Sequence, residues 1–71
     1  MPKFKVRITD ANGQNESEPL PHNIARLNYE NRILVEVKKI LQPDHGYSNV
    51  QIELIDELDK PVCEFIIEAS N

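Results

Sequence analysis

The sequence predicts a two-layer α+β domain, β-α-β-β in chain order, with one helix packed on one face of a three-stranded sheet. Three observations predict it. Residues 3–9 alternate strictly between apolar and polar, residues 24–42 carry apolar side chains at helical spacing, and two-residue alternation returns in two stretches after residue 50. Seventy-one residues hold a single domain, 1–71, and at this size a chain buries only about 60% of the surface its unfolded form exposes. A two-domain enzyme is excluded.

The first strand is Lys3 to Thr9, with Phe4, Val6 and Ile8 on one side and Lys3, Lys5, Arg7 and Thr9 on the other. Asp10-Ala11-Asn12-Gly13 supplies turn chemistry, because Asn-Gly accepts positive φ angles. The segment Gln14 to Glu18 has no alternating apolar residues and is expected as a solvated loop, an extra short strand after the turn being the alternative. Pro19-Leu20-Pro21 is extended, and Asn23 is the expected cap of a helix from about Ile24 to Gln42 that Pro43 stops.

At 100° per residue, Leu27, Tyr29, Ile33, Leu34, Val37, Ile40 and Leu41 gather on one broad face, expected to be the core face. Asn28, Asn31, Arg32, Lys38 and Lys39 fall opposite, and Arg26 and Glu30 project awkwardly into the apolar arc. Lys38 and Lys39 in the last turn suit the negative end of the helix dipole. Val50, Ile52 and Leu54 then form the inner side of a second strand, and Cys63, Phe65 and Ile67 that of a third. A two-residue turn at Asp59-Lys60 would set Glu53 opposite Ile66 and Ile55 opposite Glu64. This register avoids a direct Glu53–Glu64 contact, since facing like charges destabilise.

Charge is unevenly spread. Residues 1–9 carry three positive charges, 10–21 three negative, 22–42 a net two positive and 43–71 a net six negative, for a total of −4. Pairing of Lys3, Lys5 and Arg7 with Glu64 and Glu68 favours the strand order one, three, two, with strands one and three parallel. The order with strands one and two adjacent is the alternative. A net acidic chain is poorly suited to neutralising phosphates, and no exposed aromatic accompanies the basic strand, so no nucleic-acid partner is expected.

The only cysteine is Cys63, which rules out an internal disulfide and fits a reducing, cytoplasmic setting. No apolar run approaches a membrane span, and the first residues lack the continuous apolar stretch of a secretory signal, so no membrane association is expected. Alternation turns Cys63 inward as a small core residue, so a catalytic thiol is not expected. His22, His45, Asp44 and Cys63 lack metal-ligand spacing. Asp56, Glu57 and Asp59 are expected at a hairpin tip, solvated by water, and are read as solubilising. No catalytic residue, metal or cofactor is implied.

What remains is the sheet face that one helix leaves uncovered. Ile55, Val62 and Ile66 sit there among Lys5, Arg7, Glu53 and Glu64, an apolar spot rimmed by both signs of charge. The expected function is a small non-enzymatic interaction module, a homodimer, that binds another protein through Ile55, Val62, Ile66, Glu53 and Glu64 or through an edge strand. The alternative is a ligand-binding or enzymatic site in the helix-to-strand loop at Asp44, His45 and Tyr47. An acidic mimic of nucleic acid is a third possibility, against which Lys3, Lys5 and Arg7 count.

The opening Met1-Pro2-Lys3-Phe4, Leu20-Pro21 before a helix with Ala25-Arg26, and the hairpin Val50-Gln51-Ile52-Glu53-Leu54-Ile55-Asp56-Glu57 with Pro61-Val62 resemble a family of short uncharacterised bacterial proteins common in soil and plant-associated species. The resemblance spans most of the chain. It implies the order strand, helix, hairpin, and no activity.

Overall fold

Alternating and helix-period stretches do become strands and a helix, in an α+β fold with one helix and a five-stranded antiparallel sheet. The structure is a computed structural model that describes residues 2–42 and 49–68. In chain order the elements are β1 (Lys3–Asp10), β2 (Gly13–Glu16), β3 (Leu20–Pro21), α1 (His22–Ile40), β4 (Val50–Ile55) and β5 (Pro61–Ile67). The sheet order is β2-β1-β4-β5, with β3 on the same edge of β1 as β2.

Two strands exceed the expected three, because the segment after Gly13 pairs rather than remaining a solvated loop. Gly13 takes φ +121°, open to glycine and rarely to other residues, and the Asp10 carboxylate accepts the Asn12 N–H at 2.8 Å. The chain therefore doubles back at once. Arg7 then faces Glu16 in β2, the Ser17 hydroxyl accepts the Val6 N–H at 2.9 Å, and Phe4 faces Leu20 in β3. Backbone groups along β1 that would otherwise meet water are satisfied by this returning segment.

The strand order is the alternative one. β1 pairs antiparallel with β4 from Lys5↔Ile55 to Thr9↔Gln51, and β5 lies beyond β4, so β1 and β5 run parallel but are not paired. The closing register is the one that like-charge avoidance argued against. Glu53 faces Glu64 and Gln51 faces Ile66, and a slip at Leu54/Ile55 leaves Val62 as the extra residue of a β-bulge. Turn chemistry decides this. The loop is Glu57-Leu58-Asp59, not Asp59-Lys60: the Asp59 N–H meets the Asp56 carbonyl at 3.0 Å, the Asp56 N–H meets the Lys60 carbonyl at 2.9 Å, and Asp59 sits at φ +61°. The Asp56 carboxylate also accepts the Leu58 and Lys60 N–H groups, each at 2.9 Å. This three-residue loop with a left-handed closing residue fixes the pairing before any side-chain charge acts.

Helix α1 begins two residues earlier than expected and ends at Ile40. Pro21 occupies the cap position with no side-chain cap bond, so Asn23 is not the cap, and just past the helix the Gln42 N–H closes on the Lys39 carbonyl at 3.2 Å. Pro43, the expected stop, lies outside the described residues. The helix is also rotated from the expected setting. Its buried residues are Ala25, Tyr29 and Glu36, with Ile33 and Val37 half-buried beside them. Leu27, Leu34, Ile40 and Leu41 are instead exposed. Ala25, which has almost no side chain, lets the helix backbone approach the sheet, and 25, 29, 33 and 36/37 then follow one stripe at three- and four-residue spacing. Glu36 lies in that stripe, 4% exposed, with Arg32 Nε at 3.1 Å and Lys39 Nζ at 3.7 Å. Arg26 and Glu30 fall outside the buried stripe and pair with each other at 3.2 Å.

The core joins Val6, Ala25, Tyr29, Val50, Ile52, Leu54 and Ile67, with Phe4, Ile8, Leu20, Ile33, Val37 and Phe65 packed at its margin. The helix lies on β1, β3 and β4. At the first helical residue, the His22 ring rests against Phe4 with centroids 4.7 Å apart.

Candidate interaction surface

Residues facing each other across antiparallel strands share a side of the sheet. The side away from the helix therefore carries one straight row, Glu16–Arg7–Glu53–Glu64, running from β2 across β1 and β4 to β5. It holds a single cation among three carboxylates. The Arg7 guanidinium lies 2.7 Å from Glu16, 2.7 Å from Asp59 in the hairpin turn and 3.9 Å from Glu53. Lys5 adds a longer contact to Glu16 at 3.7 Å. The bond to Glu16 holds the Arg7 proton more tightly than usual, and in return Arg7 keeps the Glu16 carboxyl below the ordinary range. Glu64, last in the row, accepts a bond from the Gln51 amide at 3.3 Å, and no ion pair to it forms among the described residues.

The expected site residues separate accordingly. Ile55 faces Lys5, is fully buried and offers no surface. Val62 and Ile66 are exposed, at 53% and 52%, but Ile66 faces Gln51 while Ile55 faces Pro61, so Ile66 is not set beside Ile55 as the expected register would have it. Glu53 is buried at 8% exposure beneath Arg7, and Glu64 stands exposed at the sheet margin. The turn acids are structural: Asp56 holds the hairpin loop, Asp59 grips Arg7, and Glu57 accepts the Lys3 N–H at 2.8 Å. Asp44, His45 and Tyr47 lie outside the described residues.

Cys63 is not a core residue. It faces the buried Leu54, so it is on the helix side of the sheet, yet it is exposed because β5 lies beyond the strands that the helix covers. The nearby Tyr29 hydroxyl is pushed above its ordinary pKa, chiefly by burial. Among the described residues no group of three or more His, Cys, Asp or Glu is placed to hold a metal ion, and no helix is long and apolar enough to cross a membrane.

Two surfaces emerge that pattern reading did not single out. One is the outer margin of β5, where no described strand pairs and where the charged row ends on Glu64. The other is the outer face of α1, where Leu27, Leu34 and Leu41 stand exposed. Their seven-residue spacing was visible in the sequence, but it was merged with the buried stripe into one broad face.

The chain matches no protein-family model, no curated protein and no solved structure, so the resemblance to short bacterial proteins rests on the sequence alone.

Proposed function

We propose that the chain is a small non-enzymatic protein-interaction module, cytoplasmic and homodimeric, that takes an extended segment of a protein partner onto β5. The observation that carries this reading is the end of the charged row. Glu16, Arg7 and Glu53 alternate in sign, Glu64 breaks the alternation, and the next strand position is open. A basic residue there would restore it.

Geometry supports an added strand more than a flat contact on the open face. Much of that face is committed to Arg7 and its carboxylates, and Ile55 beneath them is buried. Pro61 and the bulge at Val62 irregularise only the start of β5, and Cys63 to Ile67 keeps regular pairing with β4. Backbone bonds to such an edge supply affinity and alternate side chains supply specificity. The matching segment carries Lys or Arg towards Glu64 and apolar residues towards Cys63, Phe65 and Ile67. Acidity at the edge also speeds encounter with a basic segment at low salt.

The test is an amide chemical-shift titration of the labelled protein with a synthetic eight-residue peptide of alternating Lys and Val. Shifts centred on residues 62–67, lost in Glu64→Lys, are expected. Shifts confined to other elements, or no shifts at millimolar peptide, would overturn the edge-strand reading.

A further inference from the structure

We infer that two copies of the chain pair through the outer faces of α1, with the helices antiparallel and crossing at Leu34. This rests on the self-association in the proposed function and assigns it a surface separate from β5.

Leu27, Leu34 and Leu41 are 53%, 57% and 75% exposed, flanked by Ile24 at 41% and Val35 at 46%. Seven-residue spacing drifts by only about 20° per step, so the three leucines make one stripe, roughly opposite the buried Ala25, Tyr29 and Glu36. Exposed apolar side chains scattered singly need no partner, whereas a contiguous stripe along a whole helix marks a contact.

The pattern around Leu34 argues for a second copy as the occupant. Four residues before it stands Glu30 and four after it Lys38; seven before and seven after stand Leu27 and Leu41. In an antiparallel pair centred on Leu34, each position before the centre meets its mirror position after the centre. Leu27 then meets Leu41, and Glu30 lies level with Lys38, twice over by symmetry. Glu30, Leu34 and Lys38 form one four-residue ridge, and packing such a ridge against the three-residue ridges of the counterpart gives the shallow crossing of about 20° that keeps Leu27 and Leu41 in contact. A parallel pair would instead oppose Glu30 to Glu30 and Lys38 to Lys38. The patch is thus complementary to itself only in the antiparallel sense, as a two-fold interface requires. A lipid surface fits less well, because membrane-lying helices carry a strongly basic polar face, and this stripe is bordered by one Glu, one Lys and asparagines.

A 19-residue helix is about 28 Å long, so the contact is smaller than a standard interface of about 800 Å² per partner. The dimer is therefore a weak one, with Kd in the micromolar range. Sedimentation equilibrium from about 1 µM to 1 mM tests it, on the wild type, Leu34→Glu, Lys38→Glu, the charge exchange Glu30→Lys with Lys38→Glu, and Ile66→Lys, each checked for fold by circular dichroism. The wild type and Ile66→Lys should dimerise alike, Leu34→Glu should raise Kd at least 100-fold, and the charge exchange should recover most of the affinity that Lys38→Glu loses. Intermolecular nuclear Overhauser contacts between Leu34 methyl groups of mixed labelled and unlabelled protein give a second readout, needing no variant. A dimer that survives Leu34→Glu and dissociates in Ile66→Lys overturns this inference while leaving self-association standing. A wild type that is monomeric at 1 mM overturns both, including where the stripe binds neutral or anionic vesicles instead.

Discussion

Leu34 and Leu54 are the same residue type on opposite sides of the structure, and truncating each to Ala gives opposite results. Leu54 is 1% exposed between β1 and β5 in the core. Removing a buried leucine side chain leaves a partly collapsed cavity and costs roughly 2–5 kcal/mol. A domain of 71 residues, at about 0.05–0.15 kcal/mol per residue, has roughly 4–11 kcal/mol in all. Leu54→Ala thus removes a large part of the stability, and at about 4–8 °C per kcal/mol a loss of 3 kcal/mol lowers Tm by roughly 12–24 °C. Leu34 is 57% exposed, so Leu34→Ala in the monomer stays within about 0.5 kcal/mol of wild type, helped by the higher helix propensity of alanine. Urea unfolding followed by circular dichroism at 1 µM separates the two variants. Repeating the melt at 200 µM should stabilise the wild type through mass action and leave Leu34→Ala nearly unchanged. If Leu34→Ala at 1 µM costs as much as Leu54→Ala, the helix is rolled about half a turn from the described setting and the argument for an exposed leucine stripe fails.

Glu64→Lys places a cation directly opposite Glu53 and should raise the urea midpoint by an amount equivalent to roughly 0.2–1 kcal/mol; an unchanged or lower midpoint would count against the Glu53–Glu64 register. Acid should destabilise the fold through Glu16. Its carboxyl is held below the ordinary value of 4.5 by Arg7, so this contribution is complete above that value and disappears as pH falls through the lower folded value. Glu16→Gln should flatten the dependence of the urea midpoint on pH in that window, and an unaltered slope would contradict the assignment. Tyr29 acts in the opposite sense, because its raised pKa makes the fold lose stability as pH climbs past 10, the ordinary value.

The elements were legible where one rule governs a whole stretch. Alternation in residues 3–9 and 50–55 places Val6, Val50, Ile52 and Leu54 in the core as expected, because a strand with one covered face has only two settings. The helix was legible as a helix but not in its rotation. Its apolar residues cover more than the one arc that a sheet can bury, and a helix can settle at any angle. Ala25 held the deciding information, since a small residue marks where the backbones come closest. Charge pairing was the least transferable guide. It placed Glu53 and Glu64 apart, whereas the Asp56–Lys60 loop, with Asp59 in a left-handed conformation, sets them face to face. Arg7 is near enough, at 3.9 Å from Glu53, to compensate one of the two.

Strand order follows from the same competition between burial and charge. Four of the six residues of β4 are apolar and buried, and they include both Leu54 and its neighbour Ile55, which point to opposite sides. A strand that buries both faces belongs in the interior of a sheet, so β4 takes the place between β1 and β5 although Glu64 and Glu68 are the better match in charge to Lys3, Lys5 and Arg7. The other edge of β1 is then claimed at once by the segment after Gly13, which delivers Glu16 to Arg7. β5 is left outermost, and its proline and its glutamate, Glu64, are residues that edges tolerate and interiors do not. The arrangement that best buries Ile52, Leu54 and Ile55 is therefore also the one that strands Glu64 at the margin with no paired cation among the described residues, so a basic partner segment would complete a charge pattern that the chain's own core packing leaves open.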